Sequence, residues 1–343
     1  MTLHPFAGVD TFPTHHCITG SLRRVYKANG VAISEEMLLG LGSGVGFAYF
    51  HFKGTDPFYG GRGNFEGPGV EGLEKTVGHR TGVQVESHVT GSRRKAEAAL
   101  NDMLEAGETV MVYLDMGFLP YLGLPDDYHF GAHCVAVVGY DAATGSVLVG
   151  DRDDVFHEIT LDVLEQARGS KHKPFPPQHK WYTFEFGAAH DPRPEDIWES
   201  IRDVTTFMLE PPITNFGVKG IRKAAKQTVK WPDLLDDEAL RRTCYTTSIF
   251  IDATGGTGGG IFRYMYGRYL AEAAEITGEQ RLEKIGDEFR FVGDSWEEVA
   301  TSFQAASEAS DPGGMLPCVV APMFDIADDE ETLWKELARL GET

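Results

Sequence analysis

A predicted β-hairpin constrains the fold of this chain most. Two apolar runs rich in β-branched residues, HCVAVVGY (133–140) and SVLVGD (146–151), flank the segment DAATG (141–145), whose residues favour a turn. Shorter helix and strand patterns precede this hairpin, and KWYTFEF (180–186) predicts a closing strand after it. Helices early in the chain and antiparallel strands later are typical of the α+β class rather than of a βαβ repeat.

The sequence pattern changes near residue 190. The segment AAHDPRPED (188–196) contains two prolines and several charges, as linkers often do, and the sequence beyond it has almost entirely helical periodicity. A chain of 343 residues is also longer than a typical single domain. We therefore predict a first domain over residues 1–190 and a mostly α-helical second domain over residues 191–343.

Composition excludes several classes of protein. No apolar run approaches the roughly 18 residues that a membrane span needs, and the first residues do not resemble a signal peptide. The four cysteines form no Cys-x-x-Cys pair, which predicts reduced thiols in the cytoplasm and no metal site. A formal net charge of −21 repels phosphate backbones and anionic lipid, which argues against nucleic acid and membranes as partners. The charge favours either plain solubility or attraction of a small cation such as a polyamine or an aminoglycoside.

Cys17 is the first candidate for chemistry. It lies where the extended, proline-containing segment TFPTHH (11–16) gives way to a helical pattern that ends at Asn29 and Gly30. A thiol at a helix N-terminus is close to the positive end of the helix dipole, which lowers its pKa and favours the nucleophilic thiolate. By itself, Cys17 would equally suit a small buried apolar position.

His133 supplies the partner that a nucleophilic cysteine needs. An imidazole at the entrance of an apolar strand is out of keeping with its neighbours. If the hairpin turns in the middle of DAATG, the alternation of side chains along a strand places Asp151 beside His133. Asp151 would hold the ring in the tautomer that leaves one nitrogen for a thiol, with Asp153 as the reserve candidate. Cys134 points to the opposite face and is therefore a poor candidate for the nucleophile.

The order Cys…His…Asp, with the cysteine on an early helix and the other two residues on late strands, is the papain-like order. The segments around these residues resemble the butirosin biosynthesis protein H family, and so do segments of the second half. The run S-E-E-M-L-L-G-L-G-S-G is specific to this likeness, which covers most of the chain. The matching segments are HCITGSLRRVYKANGVAISEEMLLGLGSGVGFAYF (16–50), FYGGRG (58–63), GAHCVAVVGYD (131–141), VLVGDRD (147–153), PPITNFGVKGIRK (211–223) and GGTGGGIFRYMYGRYLAEAA (255–274).

The resemblance implies a papain-like fold akin to that of bacteriocin-processing cysteine peptidases. It also implies transfer of an acyl group from a carrier-protein thioester to an amine on an aminoglycoside. The enzyme would need no cofactor of its own, since phosphopantetheine would arrive on the acyl donor. Those peptidases usually have a glutamine shortly before the nucleophile as an oxyanion donor, and residues 1–16 contain none. Either His15 or His16 replaces it, or backbone amides act alone.

A glycine-rich segment in the second half, TGGTGGG (254–260), precedes a helical pattern. Its amides would cradle a phosphate, such as that of a phosphopantetheine arm, with Gly256, Gly258 and Gly259 as the candidates. The segment lacks the Gly-Lys-Ser/Thr ending of a P-loop, so nucleotide hydrolysis is not indicated. The same glycines would also allow two helices to pack closely.

A set of basic residues, called here the basic stripe, falls within one arc of a predicted helix. In so acidic a chain, the stripe would steer an acidic carrier protein into place, although a solvated helix face has the same pattern. Its members are Lys219, Arg222, Lys223, Lys226 and Lys230.

These observations predict a cytoplasmic acyltransferase of specialised metabolite biosynthesis, such as antibiotic biosynthesis. Cys17 would attack a thioester, His133 would move the proton and Asp151 would orient His133. The acyl donor would be a carrier protein or another thioester, and the acceptor a small amine. A cysteine peptidase or amidase with the same three residues is one alternative. A catalytically silent papain-like binding protein is another, and a homo-oligomer is compatible with the sequence.

Overall fold

The computed structural model describes residues 3–52, 55–67, 69–173, 175–255 and 258–341. The α+β class is confirmed, with a sheet in the first half and mostly helices in the second. No helix of these described ranges is both long and apolar enough to cross a membrane. The chain divides into two compact units. The first unit consists of Met1–Leu38 and Val77–Asp191, and the second consists of Leu39–Thr76 and Pro192–Thr343.

The first unit is built on a six-stranded antiparallel sheet with the strand order β3-β8-β4-β5-β6-β7. Its strands are β3 (Gln84–His88), β4 (Val110–Leu114), β5 (His133–Asp141), β6 (Ser146–Gly150), β7 (Phe156–Thr160) and β8 (Trp181–Glu185). Its helices are α1 (Cys17–Ala28), α4 (Arg93–Glu105) and α5 (Leu161–Arg168), and the short helices α2 (Glu35–Leu41) and α3 (Leu73–Thr81) each begin in one unit and end in the other.

The predicted hairpin forms between β5 and β6. Ala136 is opposite Gly150 and Val137 is opposite Val149, and the register shifts by one residue at Gly139. The predicted closing strand β8 also forms, but it lies between β3 and β4 rather than at an edge of the sheet.

The strands β4, β5 and β6 are buried on both faces, so their residues are mostly apolar. One face packs against the aliphatic side chains of α4 and α5, such as Leu100 and Leu164. On the other face, Ala136 and Val138 pack against Val9 of the N-terminal segment, and α1 crosses β5. Helix α1 therefore lies directly against the strand that begins with His133.

Helix α1 follows the predicted pattern. Its apolar positions, including Leu22 and Val25, are buried. The helix ends where expected, since Asn29 donates a side-chain hydrogen bond to the carbonyl of Val25 and Gly30 has a positive φ of 80°. Glycine is favoured there because it adopts that backbone conformation without strain.

The second unit combines a two-stranded hairpin with helices, so it is not purely helical. Residues 39–76, which the sequence places in the first domain, belong to this unit. The aromatic side chains of the hairpin explain the difference, because Phe47 stacks on Trp296 with 5.6 Å between ring centroids. The elements of this unit are β1 (Val45–Phe50), β2 (Phe58–Arg62), α6 (Pro194–Leu209), α7 (Gly217–Thr228), α8 (Asp237–Ile251), α9 (Gly259–Thr277), α10 (Arg281–Glu308), α11 (Pro312–Val320) and α12 (Pro322–Leu340).

A fully buried ion pair lies in the core of the second unit. The guanidinium of Arg263 donates to both carboxylate oxygens of Glu330, at 2.9 and 2.8 Å, and also to the carbonyl of Gly46 at 2.9 Å. The indole N–H groups of Trp296 and Trp334 donate to the same carboxylate. Because burial of an unpaired charge is strongly unfavourable, this network holds α9, α10, α12 and β1 in one arrangement.

Candidate active site

Cys17 is the first residue of α1, as the sequence predicts. His16 is the N-cap residue and has extended backbone angles, but its side chain does not cap the helix. The first N–H groups of an α-helix have no partner within the helix, so the thiol lies among backbone donors at the positive end of the dipole. All four cysteines of the chain are free thiols, and Cys17 is partly exposed.

His133 and Asp151 meet as the hairpin geometry predicts. His133 is the first residue of β5, and Asp151 directly follows β6. The Nε2 of His133 is 2.8 Å from Oδ2 of Asp151, and both side chains are buried. The other ring nitrogen, Nδ1, is therefore left for the thiol of Cys17, with which the imidazole is hydrogen-bonded.

The three groups change one another's pKa strongly. Burial alone would raise the pKa of Cys17, but the charges of His16 and His133 and hydrogen bonds to both rings hold it well below its usual value. Burial alone would lower the pKa of His133, but the carboxylate of Asp151 raises it to about 10. Burial would raise the pKa of Asp151, but the charge and hydrogen bond of His133 lower it to about 2. The directions of these pKa shifts favour a thiolate–imidazolium pair.

Two further residues, Tyr121 and Arg24, hold Asp151 in place. The hydroxyl of Tyr121 donates to Oδ2 of Asp151 at 2.9 Å. The buried Arg24 of α1 donates to the backbone carbonyl of Asp151 at 2.6 Å and to that of Phe12 at 2.9 Å. Arg24 lies on the apolar face of the predicted α1, and this was the one sequence signal for its role, because a buried arginine requires hydrogen-bond acceptors.

Asp153, the reserve candidate, has a different partner. Its carboxylate accepts from Nε2 of His157 at 2.8 Å, and the side chain is about half exposed. The ring of His157 stacks on Tyr121 with centroids 3.9 Å apart. Asp153 therefore lies behind the tyrosine that supports Asp151, and it does not replace Asp151 as the partner of His133.

The two histidines before Cys17 occupy different environments. The side chain of His15 is 54% exposed and lies 3.9 Å from Glu36. His16 is buried, and its Nδ1 is 3.2 Å from the hydroxyl of Thr19. Both backbone N–H groups donate to the buried carboxylate of Glu35, at 2.8 and 2.7 Å. In the sequence, Glu35 resembles an ordinary acidic residue in the first turn of a helix, so its role was not predictable.

Replacing His133 is expected to slow the reaction of Cys17 with iodoacetamide. In His133→Ala the thiolate loses an adjacent positive charge, so the alkylation rate at neutral pH should fall by about tenfold or more. Asp151→Asn should give an intermediate rate. In the unaltered protein the rate should stay nearly constant as pH falls through the ordinary thiol range, since the pKa of Cys17 is lowered. Stopped-flow alkylation with mass analysis measures this, and equal rates in His133→Ala and the parent would rule out the pair.

Two family models match the chain. Residues 16–152 match the N-terminal domain of butirosin biosynthesis protein H. Residues 162–337, more than half of the chain, match a domain of unknown function, DUF4872. The chain belongs to the butirosin biosynthesis protein H family. The resemblance noted in the sequence is thereby confirmed, and Cys17, His133 and Asp151 all lie within the butirosin protein H match. No curated protein matches the chain.

The basic stripe lies in the DUF4872 region of this butirosin protein H relative. Two of its members, Arg222 and Lys223, already have partners in the chain. Arg222 of α7 is ion-paired with Glu331, at 2.7 Å, and with Asp328, both on α12. Lys223 donates to the side-chain oxygen of Asn215 at 2.6 Å. These two cations therefore already have partners within the second unit. The members that remain exposed are Lys219, Lys226 and Lys230, of which Lys230 lies beyond the end of α7.

The glycine-rich segment before α9 contributes to close packing. Gly256 lies outside the described residues. A side chain at Gly61 of β2 would overlap the Cα of Gly258, so the two backbones touch where both residues are glycine. Gly259 has a φ of 40°, which favours glycine.

Carboxylates already occupy amides at the start of that glycine-rich segment. Asp252 accepts hydrogen bonds from the backbone N–H groups of Thr254 and Gly255, and Glu297 accepts one from the N–H of Ala253. A phosphate placed there would meet two acidic side chains and would have to displace them. The described residues of this segment thus favour the packing role over phosphate binding.

Proposed function

We propose that the chain is a cysteine-dependent acyltransferase, which takes an acyl group from a thioester and passes it to an amine. The observation that carries this proposal is the hydrogen-bonded pair of His133 and Asp151 beside the thiol of Cys17 at a helix N-terminus. Membership of a family named for a protein of butirosin biosynthesis supports a role in making a specialised metabolite. The four free thiols support a cytoplasmic location.

The first half-reaction loads Cys17. The thiolate attacks the thioester carbonyl carbon, and a tetrahedral intermediate forms with negative charge on oxygen. The bond between this carbon and the donor sulfur then breaks. The donor leaves as a thiol, because it takes the proton from Nδ1 of His133, and His133 becomes neutral. Exchange of one thioester for another is nearly isoenergetic, so the acyl-enzyme is readily formed.

The second half-reaction forms the amide. The amine nitrogen attacks the acyl carbon and gives a proton to Nδ1 of the neutral His133. The bond to the sulfur of Cys17 breaks, and the thiolate–imidazolium pair is restored. Asp151 remains ionised throughout, since it stabilises the imidazolium and fixes the ring. Conversion of a thioester into an amide makes the overall transfer downhill.

An intact-mass experiment tests this function. The protein is incubated with a small acyl thioester of N-acetylcysteamine, and one acyl mass should appear on Cys17. Addition of an amine, such as an aminoglycoside, should remove the adduct and give the amide. Release of the free acid in the presence of amine would instead indicate a peptidase or amidase. Absence of an adduct, with Cys17 no more reactive than a free thiol, would indicate a silent binding protein.

We further propose that the natural donor is an acyl carrier protein. Carrier proteins are acidic, and the exposed lysines of the basic stripe offer a complementary surface in a chain of net charge −21. The same net charge suits a cationic amine as the acceptor, because it raises the local concentration of cations. Phosphopantetheine would arrive on the carrier, and the proposed chemistry routes no step through a metal or a resident cofactor.

Reversal of the exposed charges is expected to weaken use of a carrier-bound donor selectively. In the triple variant Lys219→Glu, Lys226→Glu and Lys230→Glu, the apparent KM for that donor should rise by about tenfold at low salt. The salt dependence of this KM should also disappear, because the attractive charges have been removed. In the parent protein the dependence arises from screening, since the Debye length falls from about 30 Å at 0.01 M to about 10 Å at 0.1 M salt.

Turnover of the small thioester is the control for the charge-reversal variant and should barely change. Loss with both donors would mean that the substitutions damaged the fold. Loss with neither would mean that the basic stripe is only a solvated face.

A further inference from the structure

We propose that His16 is a second catalytic histidine, which donates a hydrogen bond to the carbonyl oxygen of the acyl group during its transfer through Cys17. Thr19 and Glu35 are the positioning residues for this ring. The inference rests on the proposed acyl transfer, since it assigns the group that stabilises the tetrahedral intermediate of that reaction.

The first observation is the position of the ring. His16 directly precedes the nucleophile, its residue is only 3% exposed, and its imidazole is hydrogen-bonded to the thiol of Cys17. Two imidazoles therefore flank one sulfur atom. His133 is paired with Asp151 and supplies the mobile proton. In that scheme the ring of His16 takes no part in proton transfer, and so it can act as a fixed hydrogen-bond donor.

The second observation concerns which nitrogen of His16 carries a hydrogen. The hydroxyl of Thr19 donates its single hydrogen to Oε1 of Glu35, at 2.9 Å. In the 3.2 Å contact between the same hydroxyl and Nδ1 of His16, the histidine must then be the donor. This leaves Nε2 to face Cys17, and the hydrogen bond between this ring and the sulfur lowers the pKa of the thiol, as a donor to the thiolate does.

The third observation removes the competing donors. Glu35 accepts the backbone N–H groups of both His15 and His16, so neither amide is available to an oxyanion. The side chain of His15 is mostly exposed and lies near Glu36. Among the candidates that the sequence offers before Cys17, the imidazole of His16 alone is buried at the sulfur. It would act together with N–H groups of the first turn of α1.

A comparison of two reagents tests this role. Acylation of Cys17 by p-nitrophenyl acetate passes through an oxyanion, whereas alkylation by iodoacetamide does not, and both depend equally on the thiolate population. The acylation rate divided by the alkylation rate should fall by about 100-fold in His16→Ala. His16→Gln should recover part of the loss, because an amide also donates a hydrogen bond. Thr19→Val and Glu35→Gln should lower the same ratio by less than His16→Ala does.

His15→Ala is the matched control, because it removes the neighbouring imidazole but leaves both amide contacts to Glu35. It should keep the parent ratio. An unchanged ratio in His16→Ala, or no acylation of the parent protein by p-nitrophenyl acetate, would overturn the role of His16. Failure of the acyltransferase proposal looks different: the parent is acylated by p-nitrophenyl acetate with a His16-dependent ratio, yet transfers nothing from a thioester to an amine.

Discussion

Cys17→Ala is expected to abolish acyl transfer, with a loss of about 1,000-fold or more, and to leave the fold intact. The loss follows from the proposed mechanism, because no other described thiol lies next to His133 in the way Cys17 does and the covalent step has no substitute. The stability should change little, since the partly exposed thiol at the start of α1 fills little core volume. Turnover and intact mass with a small thioester, together with urea unfolding, measure both effects.

Cys134→Ala is the matched control for the nucleophile. Cys134 is fully buried on β5, opposite Tyr113 of β4, and follows His133 directly in the chain. Because alternate residues of a strand point to opposite faces, its sulfur is on the other side of the sheet from the His133 ring. This variant should lose some stability but keep substantial activity. Activity in Cys17→Ala and inactivity in Cys134→Ala would contradict the assignment.

Arg263→Met is expected to lower the free energy of unfolding of the second unit by about 3–5 kcal/mol. The substitution removes three hydrogen bonds and leaves the carboxylate of Glu330 buried without its counter-charge. The two tryptophan N–H groups that remain cannot replace a positive charge. Urea unfolding followed by tryptophan fluorescence reports on this region, since Trp296 and Trp334 contact the carboxylate.

Arg290→Met provides the comparison for the buried pair. Arg290 forms an exposed ion pair with Asp287 on α10, and exposed pairs contribute little to stability because water and salt screen them. The double variant Arg263→Met, Glu330→Met should recover much of the lost stability, because no unpaired charge stays buried. If Arg263→Met were as mild as Arg290→Met, the buried pair would not be the element that fixes these helices.

The parts of the site that lie on regular elements were predictable from sequence. The start of α1 at Cys17 and the hairpin that brings Asp151 to His133 depend on local patterns, namely a helix boundary and the alternation of a strand. Tyr121 and Glu35 were not predictable. Each reaches the site from a segment whose position depends on tertiary packing, and no periodicity marks a residue that contacts another element.

The assignment of residues 39–76 to the second unit was also not predictable from the sequence. The linker composition at 188–196 marks one crossing of the chain, but the two earlier crossings occur inside α2 and α3, where the helical pattern continues without interruption. Proline, glycine and charge mark a boundary only where the chain leaves a unit through a loop.

The placement of residues 39–76 in the second unit affects how the protein folds during synthesis. On the ribosome, β1 and β2 emerge within the first 62 residues, but the helices that bury their aromatic side chains follow only after residue 192. The carbonyl of Gly46 accepts its hydrogen bond from Arg263, which is synthesised more than 200 residues later. At synthesis rates of about 5–20 residues per second, this hairpin is without its partners for about ten seconds or longer. The nascent chain therefore exposes an aromatic segment during that interval, and chaperones that bind such segments are expected to matter for its yield.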